Sequence, residues 1–419
     1  MALFFRAGVV PAFFYRKIMD TFAGKNIVVG VSGSIAAFKV AGWVSALAKA
    51  EANVTVIMTA AARRFVTPLT FAALSGNRVH GDMFAPDAGE EMQHIRLARE
   101  ADAILVAPAS AQTLARLAHG QADDLLATVV LASRAPVLVC PAMNSQMYAH
   151  AATRANLATL RGYGYHVLEP TSGTLACGEE GQGRLAEWEA VWPRLARLVT
   201  PQDLAGKKIV VTAGPTREAI DPARFLGNRS SGKMGYALAQ AAMLRGAEVV
   251  LISGPTALQV PTDVRLIRVI SALEMYEAVL AEAADADVVI KAAAVADYRP
   301  VEVFADKVKK DQIDLSMQLC ANPDILLELG RRKRPGQILV GFAAETRDLE
   351  AAGRKKLAAK NLDLIAVNNV KADNTGFETD TNQLLLLRAD GGSETLPLAS
   401  KSKIAAMLLD RVAALALVR

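Results

Sequence analysis

The densest set of chemistry-bearing residues in this sequence is Asn228, Arg229, Ser230, Ser231, Gly232 and Lys233. Amide, hydroxyl and cationic donors are crowded there ahead of a helical pattern, where the unpaired N–H groups of a first turn would hold an anion. Four residues separate Gly227 from Gly232 and Lys233 follows, which satisfies the P-loop spacing. Met234 comes next, however, and cannot ligate magnesium as Ser or Thr would. Pro222 and the rest of the DPARF segment also stand between this loop and the preceding strand. An anion-binding loop of another kind, for a small acidic substrate, is the better reading.

Other candidates are more scattered. Lys356 and Lys360 lie four apart on a helical pattern, so both can face one phosphate chain. Asp297 follows a run of small residues, 292–296, at a strand's carboxyl end, where a nucleotide can approach the backbone; it reads as a turn residue or as a nucleotide or magnesium contact. Phe342 stacks on a base or packs in the core. Lys307, Lys309 and Lys310 have the pattern of a solvated charge run, and the basic stretch 331–334 that of a solvated helix end.

In the first half, His94 opens a short helix, a position where His commonly caps or sits at the surface. Asn144 alone reads as a turn residue and Cys140 as strand packing. Cys177 lies in residues 172–184, glycine-rich and without apolar periodicity, the pattern of a mobile surface flap. A lone thiol there is either incidental or a working acid or nucleophile.

Two strand–loop–helix openings must position these groups. The first runs from Lys25: a buried strand over 27–31, a tight loop around Gly33, a helix over 36–50 and a strand over 54–58. Further strands are expected at 103–106 and 137–140, with a helix N-capped by Asp123 or Asp124 between them. The loop lacks the full G-x-G-x-x-G fingerprint, and the second strand ends in Thr59 rather than the acid that would hold an adenosine ribose, so a mononucleotide such as FMN outranks NAD. The second opening begins at Lys208, with strands expected at 208–212, 248–252 and 287–290 and helices at 236–244 and 272–283. A hairpin after Arg388 and a final helix from Lys401 close the chain. The domains are therefore an N-terminal extension over 1–24, a first domain over 25–200 and a second over 201–419.

A chain of 419 residues with 52% apolar and 21% charged residues suits two globular α/β domains with buried parallel strands. The net charge of +5 is spread through mixed-sign segments, which argues against nucleic acid, whose binding needs a clustered basic face. Three cysteines and five histidines, scattered, exclude a disulfide framework and a protein-ligand metal cage and point to the cytoplasm. Residues 1–24 are apolar but broken by Arg6 and Pro11, short of the roughly 20 residues a spanning helix needs, and they lack a signal peptide's basic opening.

The set Ser32 to Ile35, His94, the 107–111 run, ProAlaMetAsn at 141–144 and the Cys177 segment resembles the flavin-containing cysteine decarboxylases. The second half is similar to the CTP-dependent ligases that supply their substrate. Together, from Lys25 onward, they resemble the bifunctional phosphopantothenoylcysteine decarboxylase/phosphopantothenate–cysteine ligase family of bacterial coenzyme A synthesis.

The resemblance implies two Rossmann-like domains, the first flavodoxin-like. FMN and the decarboxylase substrate would lie against Gly33, Ser34, Ile35, Thr59, Ala107, Ser110 and Met143. His94 would position substrate and assist proton transfer, Asn144 would hold its carboxylate, and Cys177 would protonate the ene-thiolate left after CO2 departs. CTP would lie against Lys291, Ala292, Ala293, Asp297, Lys307, Pro323, Asp324, Ile325, Leu326, Phe342, Lys356 and Lys360, with Mg2+ at Asp297. Asn228 would handle the acyl-cytidylate, and Lys307 would assist its formation or its attack by cysteine. Homo-oligomers are also implied, trimeric through the decarboxylase and dimeric through the ligase. Gln112 and Asp123 depart from the family's usual residues. A nicotinamide-dependent reductase pair lacks its acidic ribose ligand, and a flavin prenyltransferase has no use for the second half. A non-catalytic flavin-binding regulator would need neither His94 nor Cys177.

Overall fold

The structure, a computed structural model, describes residues 21–84, 92–176, 178–308, 317–345, 347–369 and 379–417. It forms two compact units that divide in sequence between Pro201 and Gln202. Among the described residues no helix is long and apolar enough to cross a membrane.

In the first unit the β-branched run of β1 (Asn26–Val31) is buried, as a strand inside a parallel sheet must be. Helix α1 (Ala37–Lys49) covers it with Ala37, Val40, Trp43, Val44 and Leu47, apolar at helical spacing. Next come β2 (Asn53–Met58), α2 (Pro68–Ser75) and the two-residue edge strand β3 (Val79–His80). Helix α3 (Gln93–Glu100) leads to β4 (Ala103–Ala109), α4 (Ala111–His119) and α5 (Leu125–Ala132). Ser110 and Asp124 N-cap α4 and α5, accepting from the Thr113 and Ala127 amides. Then follow β5 (Val137–Pro141), α6 (Ser145–Ala149), α7 (Ala151–Gly162) and β6 (His166–Val167). The sheet order is β3-β2-β1-β4-β5-β6, all parallel. Apart from the short β3 this is the flavodoxin-like order, with its switch point between β1 and β4.

Residues 172–184, expected as a surface segment without apolar periodicity, have regular backbone structure. β7 (Thr171–Thr174) and β8 (Glu180–Arg184) pair as an antiparallel hairpin, and Cys177 lies outside the described residues. Both strands are mostly exposed, so no apolar alternation marks them. What fixes the hairpin is backbone: the Met143 amide donates to the Gly183 carbonyl at 3.0 Å, and a Cβ at Gly183 would collide with the Met143 carbonyl oxygen. Helix α8 (Trp188–Val199) completes the unit.

The second unit is centred on β9 (Lys208–Ala213), followed by a small antiparallel pair, β10 (Arg217–Ala219) and β11 (Phe225–Gly227). Helix α9 (Lys233–Leu244) starts three residues earlier than its apolar pattern suggests, with Gly232 as a left-handed N-cap. Gly235 permits its contact with β9, since a Cβ there would lie 2.7 Å from the Thr212 carbonyl oxygen. The chain continues through β12 (Glu248–Ser253), β13 (Arg265–Arg268), α10 (Ala272–Ala283) and β14 (Val288–Lys291). After the pair β15 (Tyr298–Pro300) and β16 (Leu319–Ala321) come α11 (Ile325–Arg332), β17 (Ile338–Glu345), α12 (Leu349–Ala359) and β18 (Leu364–Asn369). The last elements are β19 (Thr381–Asn382), β20 (Leu384–Arg388), β21 (Ser393–Thr395), β22 (Ala399–Ser400) and α13 (Lys401–Leu417). The large sheet runs β13-β12-β9-β14-β17-β18-β20-β21, parallel up to β18 and antiparallel beyond. Its switch point lies between β9 and β14.

The basic stretch 331–334 is exposed except at Lys333. Arg331 and Arg332 are exposed and pair with Glu328, but Lys333 pairs at 2.8 Å with Asp363, itself 3% exposed, and Arg334 donates to the Ala286 carbonyl. Asp363, buried just ahead of β18, draws the lysine inward, which a count of local charges cannot reveal.

Candidate functional site

At the first switch point, backbone and hydroxyl bonds tie four strand-end loops together. Ser32 Oγ donates to the Pro108 carbonyl at 2.7 Å and accepts from the Ser110 amide at 2.9 Å, joining the loops after β1 and β4. A Cβ at Gly33 would lie 2.5 Å from that of Ala61, so the loop after β1 is pressed against the loop after β2. There Thr59 is buried, and its hydroxyl accepts from the Ala62 amide. The Ala142 amide donates to Ala109, and Met143 engages Gly183 of the hairpin. Asn144 N-caps α6 and donates its amide to Glu179 Oε2 at 2.9 Å, so the hairpin is held at both a backbone and a side-chain point.

Gly33, Ser34, Ala107, Ser110, Met143 and Asn144 are thus brought to one connected set of loops, beside Ile35, which is 56% exposed. His94 is half-buried near the start of α3, a helix packed against α5, and none of these bonds reaches it. Asp123 is exposed and paired with Arg116. Cys140 is fully buried in β5, and burial pushes its thiol pKa up, as inert packing requires. The loops suit a flavin mononucleotide: small residues at the sheet's carboxyl edge, two serines and a threonine for a phosphate, and an exposed apolar side chain for a ring.

At the second switch point the segment from β11 into α9, the end of β14 with the run after it, and β17 line a cleft of about 270 Å3. Its floor is the small-residue run after β14, held from both sides. The Ala293 and Ala296 amides donate to Thr212 and Thr216 hydroxyls, and Asn228 and Asn322 carboxamides donate to the Val295 and Ala296 carbonyls. Asn228, Lys291, Ala292, Ala293, Asp297, Leu326, Phe342, Lys356 and Lys360 line this cleft. Asp324 abuts it through a 2.8 Å ion pair with Lys360, and Ile325 is buried behind it. Pro323 and Lys307 are not in its lining, and Lys307 is exposed; Lys309 and Lys310 lie outside the described residues.

Sequence reasoning missed part of the lining. Lys401, read as the start of a terminal helix, is 6% exposed and faces the cleft, as do Asn368 and Asn382. Lys233, read as one of the anion-loop donors, is the fourth lysine of the lining and Lys401 the fifth. No local pattern distinguishes Lys401, Asn368 and Asn382; only the return of the C-terminal strands to the sheet brings them there.

Partners and burial divide the five lysines. Lys233 pairs with Asp380 at 2.6 Å, Lys356 with Glu345 at 2.6 Å and Lys360 with Asp324 at 2.8 Å. Burial lowers the pKa of Lys291 to about 8, with Lys360 and Lys356 adding and Asp324 and Asp297 opposing. Lys401 is likewise lowered by burial to about 8, with Lys233 adding and Asp380 opposing. An anion entering the cleft would meet cations already stripped of much water, where attraction is strong.

Fold and sites together define a fusion of a flavoprotein-type unit with a nucleotide-type unit. Residues 18–200 match the Flavoprotein family model, and residues 204–415 match the DNA/pantothenate metabolism flavoprotein C-terminal domain. A Bacillus subtilis (strain 168) relative, a coenzyme A biosynthesis bifunctional protein CoaBC, is 50% identical over 396 residues, 93% of this chain and 97% of its own. The relative of the same name from Haemophilus influenzae is 47% identical over 390 residues, 93% and 97% of the two chains. A crystal structure of the C-terminal domain of a CoaBC protein, 44% identical, covers 51% of this chain and 97% of its own with a TM-score of 0.44. The chain belongs to the family of coenzyme A biosynthesis bifunctional proteins CoaBC. It is a bifunctional enzyme of coenzyme A biosynthesis, with a flavoprotein decarboxylase domain and a ligase domain.

Proposed function

We propose that the ligase half joins 4'-phosphopantothenate to L-cysteine with CTP, and that the decarboxylase half removes CO2 from the product with FMN. The convergence of five lysines on one switch-point cleft carries the ligase reading. A carboxylate is a poor electrophile, so its oxygen first attacks the α-phosphorus of CTP and pyrophosphate leaves. The cysteine amine then attacks the acyl carbon and CMP leaves with the C–O electron pair. Lys291, Lys356 and Lys360 offset the charge on the triphosphate. Phe342 lies along the base, and Ala292 and Ala293 admit it to the backbone. Asp297, exposed at the cleft, takes magnesium together with substrate phosphates, the usual way a single carboxylate holds that ion. Asn228, whose carboxamide already bonds the floor, holds the acyl-cytidylate, and Lys307 assists at the mouth.

In the first unit, FMN lies among Gly33, Ser34, Ile35, Thr59, Ala107 and Ser110. When bound, the flavin supplies a two-electron oxidant for the substrate thiol and later returns the electrons. Asn144 and Met143 hold the substrate carboxylate end, His94 positions the substrate and moves its proton, and Cys177 delivers a proton after CO2 departs.

The enzyme works in the cytoplasm as a homo-oligomer. Exposed apolar residues on β15, β16 and the segment between them, Tyr298, Val301, Val303, Phe304 and Leu319, support a ligase dimer, and Phe38, Phe65 and Leu69 support association through the decarboxylase. The test is substrate dependence: the purified protein should be yellow from FMN and release CO2 only when 4'-phosphopantothenate, cysteine and CTP are all present. Equal release with ATP, or a colourless active protein, would overturn this reading.

A further inference from the structure

We propose that the C-terminal wall of the ligase cleft, with Lys401, Lys233 and Asn368 as its polar groups, binds the α-amino acid head of the cysteine substrate. This deepens the ligase assignment above and rests on it. Strand pairing brings the wall together. Asn368 of β18 stands opposite Leu384 of β20, and Asn382 lies two residues before Leu384. Asn382 and Thr381 pair with Ala399 and Ser400, so Lys401 emerges at the same end, its amide bonded to the Asp380 carbonyl at 3.0 Å. Lys233 reaches the same point from α9, donating to Asp380 Oδ1 at 2.6 Å.

Two features of the wall select the ligand. Lys401 and Lys233, beside the start of a twelve-residue helix whose Gly232 N-cap offers no side-chain cap, favour an anion. Asn368 is only 8% exposed, and its Oδ1 has no hydrogen-bond partner among the described residues. A buried acceptor left unpaired is costly, so the site calls for an N–H or O–H donor as well. Phosphate oxygens at neutral pH only accept, and would leave Oδ1 unrelieved. An α-amino acid carries an ammonium and a carboxylate on one carbon and answers both demands. The cleft's other lysines, Lys291, Lys356 and Lys360, are left to the triphosphate.

The test uses the full-length protein with 4'-phosphopantothenate and CTP. Pyrophosphate release in a single turnover without cysteine reads the first step; amide formation against cysteine concentration reads the second. Lys401→Met and Asn368→Leu should raise the KM for cysteine about tenfold relative to that for CTP. Asn368→Asp, which keeps an acceptor, should largely restore it. Wild-type protein should prefer cysteine to its methyl ester, and Lys401→Met should lose that preference, a ratio that partial unfolding does not change. An unchanged cysteine KM, or pyrophosphate release falling in step with amide formation, would assign the wall to a phosphate and overturn the proposal. Failure of the wild-type protein to release pyrophosphate without cysteine would instead overturn the acyl-cytidylate reading on which it rests.

Discussion

At the β1/β4 switch point the loops offer Ser34, Thr59, Ser110 and Asn144, and residues 32–36, 59–61, 107–111 and 141–144 contain no cation. At the β9/β14 switch point five lysines face one cleft. The scaffolds are alike: parallel strands, a small-residue loop, and a helix start at the carboxyl edge. What differs is the charge each proposed ligand brings. A flavin mononucleotide is a large, mostly uncharged ring with one phosphate, which hydroxyls and backbone N–H groups can hold. A nucleoside triphosphate meeting a phosphomonoester carries several negative charges into one place, which only cations or metal can offset. The same fold therefore serves a decarboxylase and a ligase through a change of loop residues.

The largest test of this contrast removes one cation. Lys356→Met deletes a charge that faces the cleft and leaves Glu345 without that partner. Ligase turnover should fall about 10²- to 10³-fold, the usual cost of one preorganised electrostatic donor. Decarboxylation of supplied 4'-phosphopantothenoylcysteine should be unaffected. A parallel loss in both half-reactions would mean that the two sites do not differ as their charges say.

A pH titration separates them next. Lys291 has a pKa of about 8, lowered chiefly by burial, and it is surrounded by the cations Lys360 and Lys356 and the acids Asp324 and Asp297. Below that value the ammonium is charged and, on the function proposed above, would bind the triphosphate; above it the cation is lost. Pyrophosphate release without cysteine should therefore show a KM for CTP that rises as pH passes through 8, by roughly tenfold about one unit higher. No lysine stands in the flavin-side loops, so decarboxylation should not follow that curve. A flat CTP profile would remove Lys291 from the contact.

The scaffold was far more legible in the sequence than the furnishing. Buried strands such as 27–31 and 248–252 declare themselves as β-branched runs, and α10 begins and ends where its pattern predicts, at Ala272 and Ala283. The hairpin 171–184 left no periodic trace, because its exposed Thr, Ser, Glu and Gln side chains bury nothing and its register rests on backbone at Gly183. The strand β3 is too short, at two residues, to form a pattern. Lys401 and Asn368 were hidden for a different reason. Their role depends on pairing across sixteen residues or more of chain, from Asn368 to Leu384 and from Asn382 to Ala399, which no local window contains.

The two units should agree where they share a construction, and that agreement is the finest test. Ser32, 1% exposed, ties the loop after β1 to the loop after β4 by donating to Pro108 and accepting from Ser110. Thr212, fully buried, does the same work in the second unit by accepting from the Ala293 amide at 3.1 Å, so that the floor of the cleft is fixed to β9. Ser32→Ala and Thr212→Val each strand one buried amide and should cost about 1–3 kcal/mol. Denaturant unfolding of the full chain, followed by flavin release for the first and by loss of ligase activity for the second, reads each cost. Similar penalties mean that hydroxyl ties, and not ligand charge, hold both switch points open. A Thr212 penalty well above that of Ser32 would mean instead that crowding five lysines into one cleft strains its floor, and that the cationic site draws on stability the neutral one keeps.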